Sequence, residues 1–350
     1  MSSEKFSKNI AKLFDRIMEN DNEIDSIQAV YQLAEIKEKE EAKKALLLGL
    51  SNPDSEIRIS ILDALYSPHF LEEDIIPTVS ELLKSDDFDV RSKAVELIGS
   101  IKSKKSVGHL VEMLDDDEPK IRHKAMSALA HVGEKSASKS IEKYIDSDDW
   151  RDRKYAIDAI GMLANPSSKN VMLEALLDPT PQVREQAALS IGFYWDEDIE
   201  NALIELLMDE VPQVQAAAIY TLGEFKSKGA VPYLLDFLFE DDEELVLLSI
   251  ESLGKIKDKS TITDLIEFLD HPSPEIRGAA RDSLNMFDVR KIIVPFIESC
   301  RHDAKYVYLQ SRLEGFSDEK MKDVLKQDII LPEWVEVMMQ EMALGSKEDK

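Results

Sequence analysis

The chain has 350 residues, 43% of them apolar, with 43 Lys and Arg against 70 Asp and Glu, a formal charge of −27. So acidic a surface repels phosphate backbones and offers few cations to displace their counterions, which argues against nucleic acid as a ligand. No apolar run approaches the roughly 18 residues of a membrane span, and a single cysteine, Cys300, precludes an intrachain disulfide.

The N-terminus, Met-Ser-Ser-Glu-Lys-Phe-Ser-Lys, lacks an apolar signal region, so the cytoplasm is the expected compartment. Phe6, Ile10, Leu13, Phe14 and Ile17 recur at helical spacing and predict an amphipathic cap helix within 1–22. Asp25 to Ile36 and Glu40 to Leu50 then read as two helices of a degenerate first unit, 23–53.

From there the chain repeats every 31 residues. Arg91, Arg122, Arg153, Arg184, Gln215, Val246 and Arg277 form one column. Ala94, Ala125, Ala156, Ala187, Ala218, Ser249 and Ala280 form a second, and Gly99, Ala130, Gly161, Gly192, Gly223, Gly254 and Asn285 a third. Units of this length are single supersecondary elements that bury their apolar faces only against their neighbours. In the unit beginning at Pro181, the apolar residues 183, 187, 188 and 191 mark a first helix. Ile199, Ala202, Leu203, Leu206 and Leu207 mark a second. Proline recurs three residues before the anchor, at 119, 181, 212 and 274, and suits a first helical turn, with Thr180 or Ser273 as cap. The glycine column is expected where the first helix ends and the chain turns back.

Beyond residue 302, Ala304 to Phe316 and Glu319 to Ile330 read as a last unit. Trp334, Val335, Met338, Met339 and Met342 mark a closing helix within 303–344, and 345–350 is a polar tail expected to be disordered. Both ends read as caps, with the Met-rich face also suited to docking a partner. Cys300 shares an inward phase with Ile293, Phe296 and Ile297 and reads as core.

The segments 87–99 and 228–238 resemble the two halves of a HEAT repeat, and more narrowly the short HEAT-like repeat of phycobilisome lyases. The likeness covers 54–302 clearly and implies a single all-α domain over 1–350. That domain is a right-handed α-solenoid of stacked antiparallel helix pairs, with roughly ten units and terminal caps. It also implies a structural ladder in which Arg91, Arg122, Arg153, Arg184 and Arg277 pair with turn carboxylates. Asp115, Asp146, Asp178 and Asp209 stand at the right distance, and Gln215 and Val246 should interrupt the ladder.

Function is less determined, because this repeat serves unrelated roles. Twenty-one residues past each anchor stand Glu112, Lys143, Glu174, Glu205, Asp236, Glu267 and Glu298, with Glu81 in the preceding unit. This position lies off the inward stripe. In HEAT-like stacks the second helices line the concave side, so the resemblance implies an acidic groove there. Met208, Tyr233, Phe237 and Phe239 stand beside it, while Phe193-Tyr194-Trp195 replaces the short Lys/Ser turns of other units and cannot point wholly inward. Aromatic groups rimmed by carboxylates suit a cationic, amphipathic protein segment. The same row is also what a solvated helix face or a saline cytoplasm would produce.

No metal-ligand spacing joins His69, His109, His123, His131, His271 and His302, and no His-Glu pair of the kind held by HEAT-repeat deoxyhypusine hydroxylases occurs. Trp150 and Asp152 superficially match the Asp and aromatics of HEAT-like glycosylases, whose groove is basic. Lys102, Lys104 and Lys105 read as a solvated turn. The resulting expectation is a non-catalytic scaffold or adaptor without metal or cofactor, binding a protein through an acidic concave surface. Its alternatives are a phycobilin-lyase-like chaperone handling a tetrapyrrole and a complex subunit docked through a terminal cap. Self-association stays open.

Overall fold

The computed structural model describes residues 6–19 and 22–287, and every described regular element is helical. The expected last unit, closing helix and tail, with Glu298 and Cys300, lie outside the described residues. The chain divides into two compact units, one ending at Tyr194 and the other beginning at Trp195.

The first unit opens with helix Lys8–Glu19, which buries Ile10, Leu13, Phe14 and Ile17, with Phe6 tilted against Phe14 at 5.6 Å between ring centroids. Helices Glu23–Ala34 and Lys39–Gly49 follow, close to the expected degenerate pair. The first helices of successive repeats, Ser55–Leu65, Phe88–Ser100, Pro119–Val132, Trp150–Leu163 and Pro181–Ser190, then stack side by side. In the second unit, Pro212–Glu224, Glu243–Ile256 and Pro274–Asn285 do the same. The second helix of most repeats is short, often flanked by single 3₁₀ turns, as in Lys104–Ser106, Val107–Glu112 and Met113–Asp115. Of the expected inward stripe of the 199–207 segment, Ile199, Leu203, Leu206 and Leu207 are buried and Ala202 is half-buried.

Helix starts follow two chemistries. Asp54, Asp87, Asp149 and Asp242 accept backbone N–H groups of the first turn. Where proline occupies that turn, the preceding Glu118, Thr180, Val211 and Ser273 make no such bond. The expected Thr180 and Ser273 caps are therefore corrected. The Thr180 hydroxyl accepts from Arg153 Nη2 at 2.9 Å, and Ser273 donates to Glu275 at 2.9 Å. Proline removes one of the free N–H groups that a cap would satisfy.

The glycine column is corrected as well. Gly99, Gly161, Gly223 and Gly254 lie inside the last turn of their helices, where the next repeat's first helix comes very close. A Cβ on Gly161 would stand 2.5 Å from Ser190 Cβ, and one on Gly223 2.6 Å from Ser252 Cβ. Chain reversal falls three residues later, at Lys102, Ala164, Lys226 and Lys257, all in left-handed backbone with Gly133. Only one of these five positions is glycine, which hid the turn column from a reading based on residue type.

The arginine ladder forms with a shifted set of carboxylates. Arg91 pairs with Asp116 at 2.9 Å, Arg122 with Asp152 at 2.8 Å and Arg153 with Asp178 at 2.7 Å. Asp178 was expected. Asp116 replaces Asp115, whose carboxylate goes to Lys143 and Tyr144, and Asp152 replaces Asp146. Each Arg also donates through Nη1 to the carbonyl six residues before it, closing its own repeat's turn: Ser85, Asp116, Ser147, Asp178 and His271. Burial pushes the Asp178 carboxyl up, but the bonds from Arg153 and Thr180 outweigh it and leave it below the usual carboxylate value.

Candidate interaction surface

In the second unit, Glu205 lies on helix Glu197–Leu206, Asp236 on Val231–Asp236 and Glu267 on Ile262–Glu267. All three side chains are exposed, and none is in an ion pair among the described residues. Three positions after Glu205 and Asp236 stand Met208 and Phe239, one repeat apart and 82% and 78% exposed. Each follows its carboxylate by about one helical turn and so shares its face. Tyr233, three residues before Asp236, is 45% exposed.

Phe237 does not belong to this surface. Only 9% exposed, it sits in the core with Leu238. The cause is local: residues 237–239 form a 3₁₀ turn, which sends Phe239 outward and its two predecessors in. Phe268 is half-buried and stacks on His271 at 5.9 Å between ring centroids.

In the first unit Glu112 and Glu174 are exposed at the same repeat position, where Lys143 bonds Asp115 at 2.5 Å. Leu177 is 81% exposed and occupies there the position that Met208 and Phe239 hold in theirs. The aromatic turn resolves residue by residue. Phe193 is 67% exposed, whereas Tyr194 is buried and donates to the Ile160 carbonyl at 2.9 Å. Burial raises the Tyr194 phenol to about 12. Trp195, half-buried, stacks on Phe225 at 4.8 Å and 9° between planes. Phe193 is thus the exposed ring of the three.

Lys104 and Lys105 are not a free basic patch: they bond Glu134 at 2.6 Å and Glu73 at 2.7 Å. Asp152 is buried and held by Arg122 and His123, so it presents no carboxylate to a ligand in the glycosylase manner. Sequence reading passed over His123. The available signal was its partner: Asp152 stands in a column otherwise filled by Val90, Ile121, Val183, Val214, Leu245 and Ile276. Among the described residues, no helix is long and apolar enough to cross a membrane, and no three His, Cys, Asp or Glu are placed to hold a metal.

Comparison with known proteins agrees with this architecture. The family described as HEAT repeats matches residues 68–130 and 199–285. No curated protein matches the sequence. Kap95p, in a structure of its binding to RanGDP, is similar with a TM-score of 0.66 at 13% identity. That match covers 94% of this chain and 53% of the other, so this chain spans about half of Kap95p. YibA of E. coli is similar with a TM-score of 0.50 at 23% identity, covering 74% of this chain and 96% of that one. The complex of CpcE and CpcF of phycocyanin lyase from Nostoc sp. PCC7120 is less similar, with a TM-score of 0.42 at 15% identity, covering 69% of this chain and 94% of that one. At these identities the likeness is one of fold. HEAT repeats are detected in those two segments, and the regular elements of the described residues are all helical, consistent with an α-solenoid.

Proposed function

We propose that the protein is a non-catalytic scaffold or adaptor whose second unit binds a cationic, amphipathic segment of another protein. The observation that carries this reading is the pairing of Met208 with Glu205 and Phe239 with Asp236, one repeat apart, with Glu267 continuing the acidic row. Large apolar side chains this exposed are costly to solubility unless something covers them. Unpaired carboxylates beside them favour Lys and Arg on the covering segment. HEAT repeats, built from stacked modules, present such extended surfaces. Tyr233 supplies a further half-exposed ring, while Glu112, Glu174, Leu177 and Phe193 offer similar chemistry on the first unit.

The test is affinity capture from the source organism with the full chain and three variants: Met208→Ser with Phe239→Ser, Glu205→Lys with Asp236→Lys, and Lys44→Ala as an exposed control. The serine pair should accelerate release of the captured protein, and the lysine pair should slow its association. Raising salt from about 50 to about 500 mM shortens the Debye length from about 14 Å to about 4 Å and should weaken capture. Capture that ignores both variant pairs and salt would place the interaction elsewhere.

A further inference from the structure

A cavity of about 810 Å³ opens in the first unit. Its walls come from the first helices Phe88–Ser100, Pro119–Val132 and Trp150–Leu163, with Tyr66 at one side. In a chain of charge −27 its charged lining is reversed: Lys102, Lys120 and Lys124 against the single carboxylate of Glu96. Lys124 bonds Glu96 at 3.2 Å, whereas Lys102 and Lys120 are exposed and in no ion pair among the described residues. Tyr66 and Tyr155, each about half-exposed, add ring surface.

The floor of the cavity is built around His123, which is only 8% exposed. Its Nε2 lies 2.7 Å from Asp152 Oδ1, and its ring stacks on Tyr155 at 4.2 Å. Asp152 also accepts from Arg122 at 2.8 Å and from Ser147 at 3.1 Å. Since a carboxylate can only accept, Nε2 carries the hydrogen, and Nδ1 has no partner among the described residues on a side chain that lines the cavity. Burial pushes the Asp152 carboxyl up, but the bonds from Arg122 and His123 outweigh it and hold it ionised.

A ladder role accounts for only half of this. Ser147 stands where Asp116 and Asp178 stand in neighbouring repeats, so Asp152 substitutes for the missing partner of Arg122. Nothing in the ladder needs the second bond to His123. Burying a carboxylate in an otherwise aliphatic column costs stability, and what it secures here is the orientation of one imidazole at a cationic, ring-lined cavity.

We propose that this cavity binds a small phosphorylated compound carrying a flat ring. The volume suits a ligand of that size. Lys102 and Lys120 would meet the phosphates as point charges, the tyrosine rings would pack against the planar group, and His123 Nδ1 would make the directional contact.

The experiment is calorimetric titration of the full chain with ADP, pyrophosphate and adenosine separately, repeated on Lys102→Glu with Lys120→Glu and on His123→Gln. ADP is expected to bind at one site, pyrophosphate more weakly, and adenosine weakest. The double lysine variant, altered only at exposed positions, should lose at least about tenfold in ADP affinity. His123→Gln should lose ADP affinity while the chain keeps the helical content and cooperative melt of the parent, at a somewhat lower melting temperature because Asp152 loses a partner. If neither ADP nor pyrophosphate binds at millimolar concentration, or if the lysine variant binds ADP unchanged, the proposal is overturned. Pyrophosphate binding as tightly as ADP would overturn the ring, and adenosine binding as tightly as ADP would overturn the phosphate.

Discussion

Arg153 grips Asp178 with two parallel hydrogen bonds, Nε to Oδ2 at 2.7 Å and Nη2 to Oδ1 at 2.9 Å, across 25 residues of chain. The same guanidinium reaches back through Nη1 to the Ser147 carbonyl at 2.8 Å. One side chain therefore closes its own repeat's turn and ties it to the next. Both partners are mostly buried, with side-chain exposures of 12% and 10%, so the bonds act where water cannot replace them.

Removing that grip should be felt. Arg153→Ala leaves a mostly buried carboxylate without its counter-charge, held by the Thr180 N–H, and takes the donor from a turn carbonyl, and should lower stability by about 1–3 kcal/mol. Urea melts against Lys44→Ala, an exposed position, provide the measure. Coincident midpoints for the two variants would mean the pair contributes no more than a solvated surface contact.

The glycine column makes a steric prediction. In Gly161→Ala the new Cβ would stand 2.5 Å from Ser190 Cβ, so the helices must part. Overpacking of this kind costs about 1–3 kcal/mol, against roughly 1 kcal/mol that alanine gains in helix propensity. Net destabilisation is expected. Adding Ser190→Gly should restore most of the loss, because it removes the colliding atom. Thermal melts of the single and double variants would settle whether close approach or chain flexibility is what the glycine supplies.

The turn column predicts the opposite sign. Ala164 adopts φ 47° and Lys257 φ 60°, a region that strains any residue with a Cβ. Glycine relieves that strain at some cost in unfolded-state entropy. Ala164→Gly and Lys257→Gly should each raise stability by about 0.5–1 kcal/mol, whereas Gly133→Ala, at φ 75°, should lower it by a similar amount. Chemical denaturation of the three variants would expose any error in the phase of this column.

Two carboxylates should answer to pH in opposite directions. Burial raises the Asp158 carboxyl above its ordinary value, only partly offset by Lys154 and His131. Its folded form thus favours the proton, and stability is lost as pH rises through the raised folded value. Asp158→Asn should stabilise at neutral pH, keeping an oxygen for the Gln186 Nε2 bond of 2.9 Å, and the gain should vanish under acid. Asp178 is depressed, so its contribution is present above the ordinary carboxylate range near 4 and is lost as pH falls through its lower folded value. Melting temperature followed from pH 7 to pH 3 in parent, Asp158→Asn and Arg153→Ala chains would separate the two.

The repeat, its helix pairs and most of its core could be read directly from the residues, because every unit buries the same phases against its neighbours. The columns of Arg91, Ala94 and Gly99 therefore announce a stack without any knowledge of how far apart its helices lie. What residue type and spacing could not decide was anything turning on a fraction of a helical turn or on a distance between repeats. Phe237 and Phe239 differ by two positions, and a single tight turn buries one and exposes the other. Asp115 and Asp116 are neighbours, yet only Asp116 comes within reach of Arg91. The glycines proved to be close-approach positions because the spacing between stacked helices excludes a Cβ, a length no single helix contains. Glu96, His123 and Tyr155 line one cavity, and Asp152 reaches His123 behind it, only because stacking aligns successive first helices and brings residues about one period apart in the chain together. Periodicity is a local consequence of burial and survives in one dimension, whereas a site made between helices exists only once they are packed.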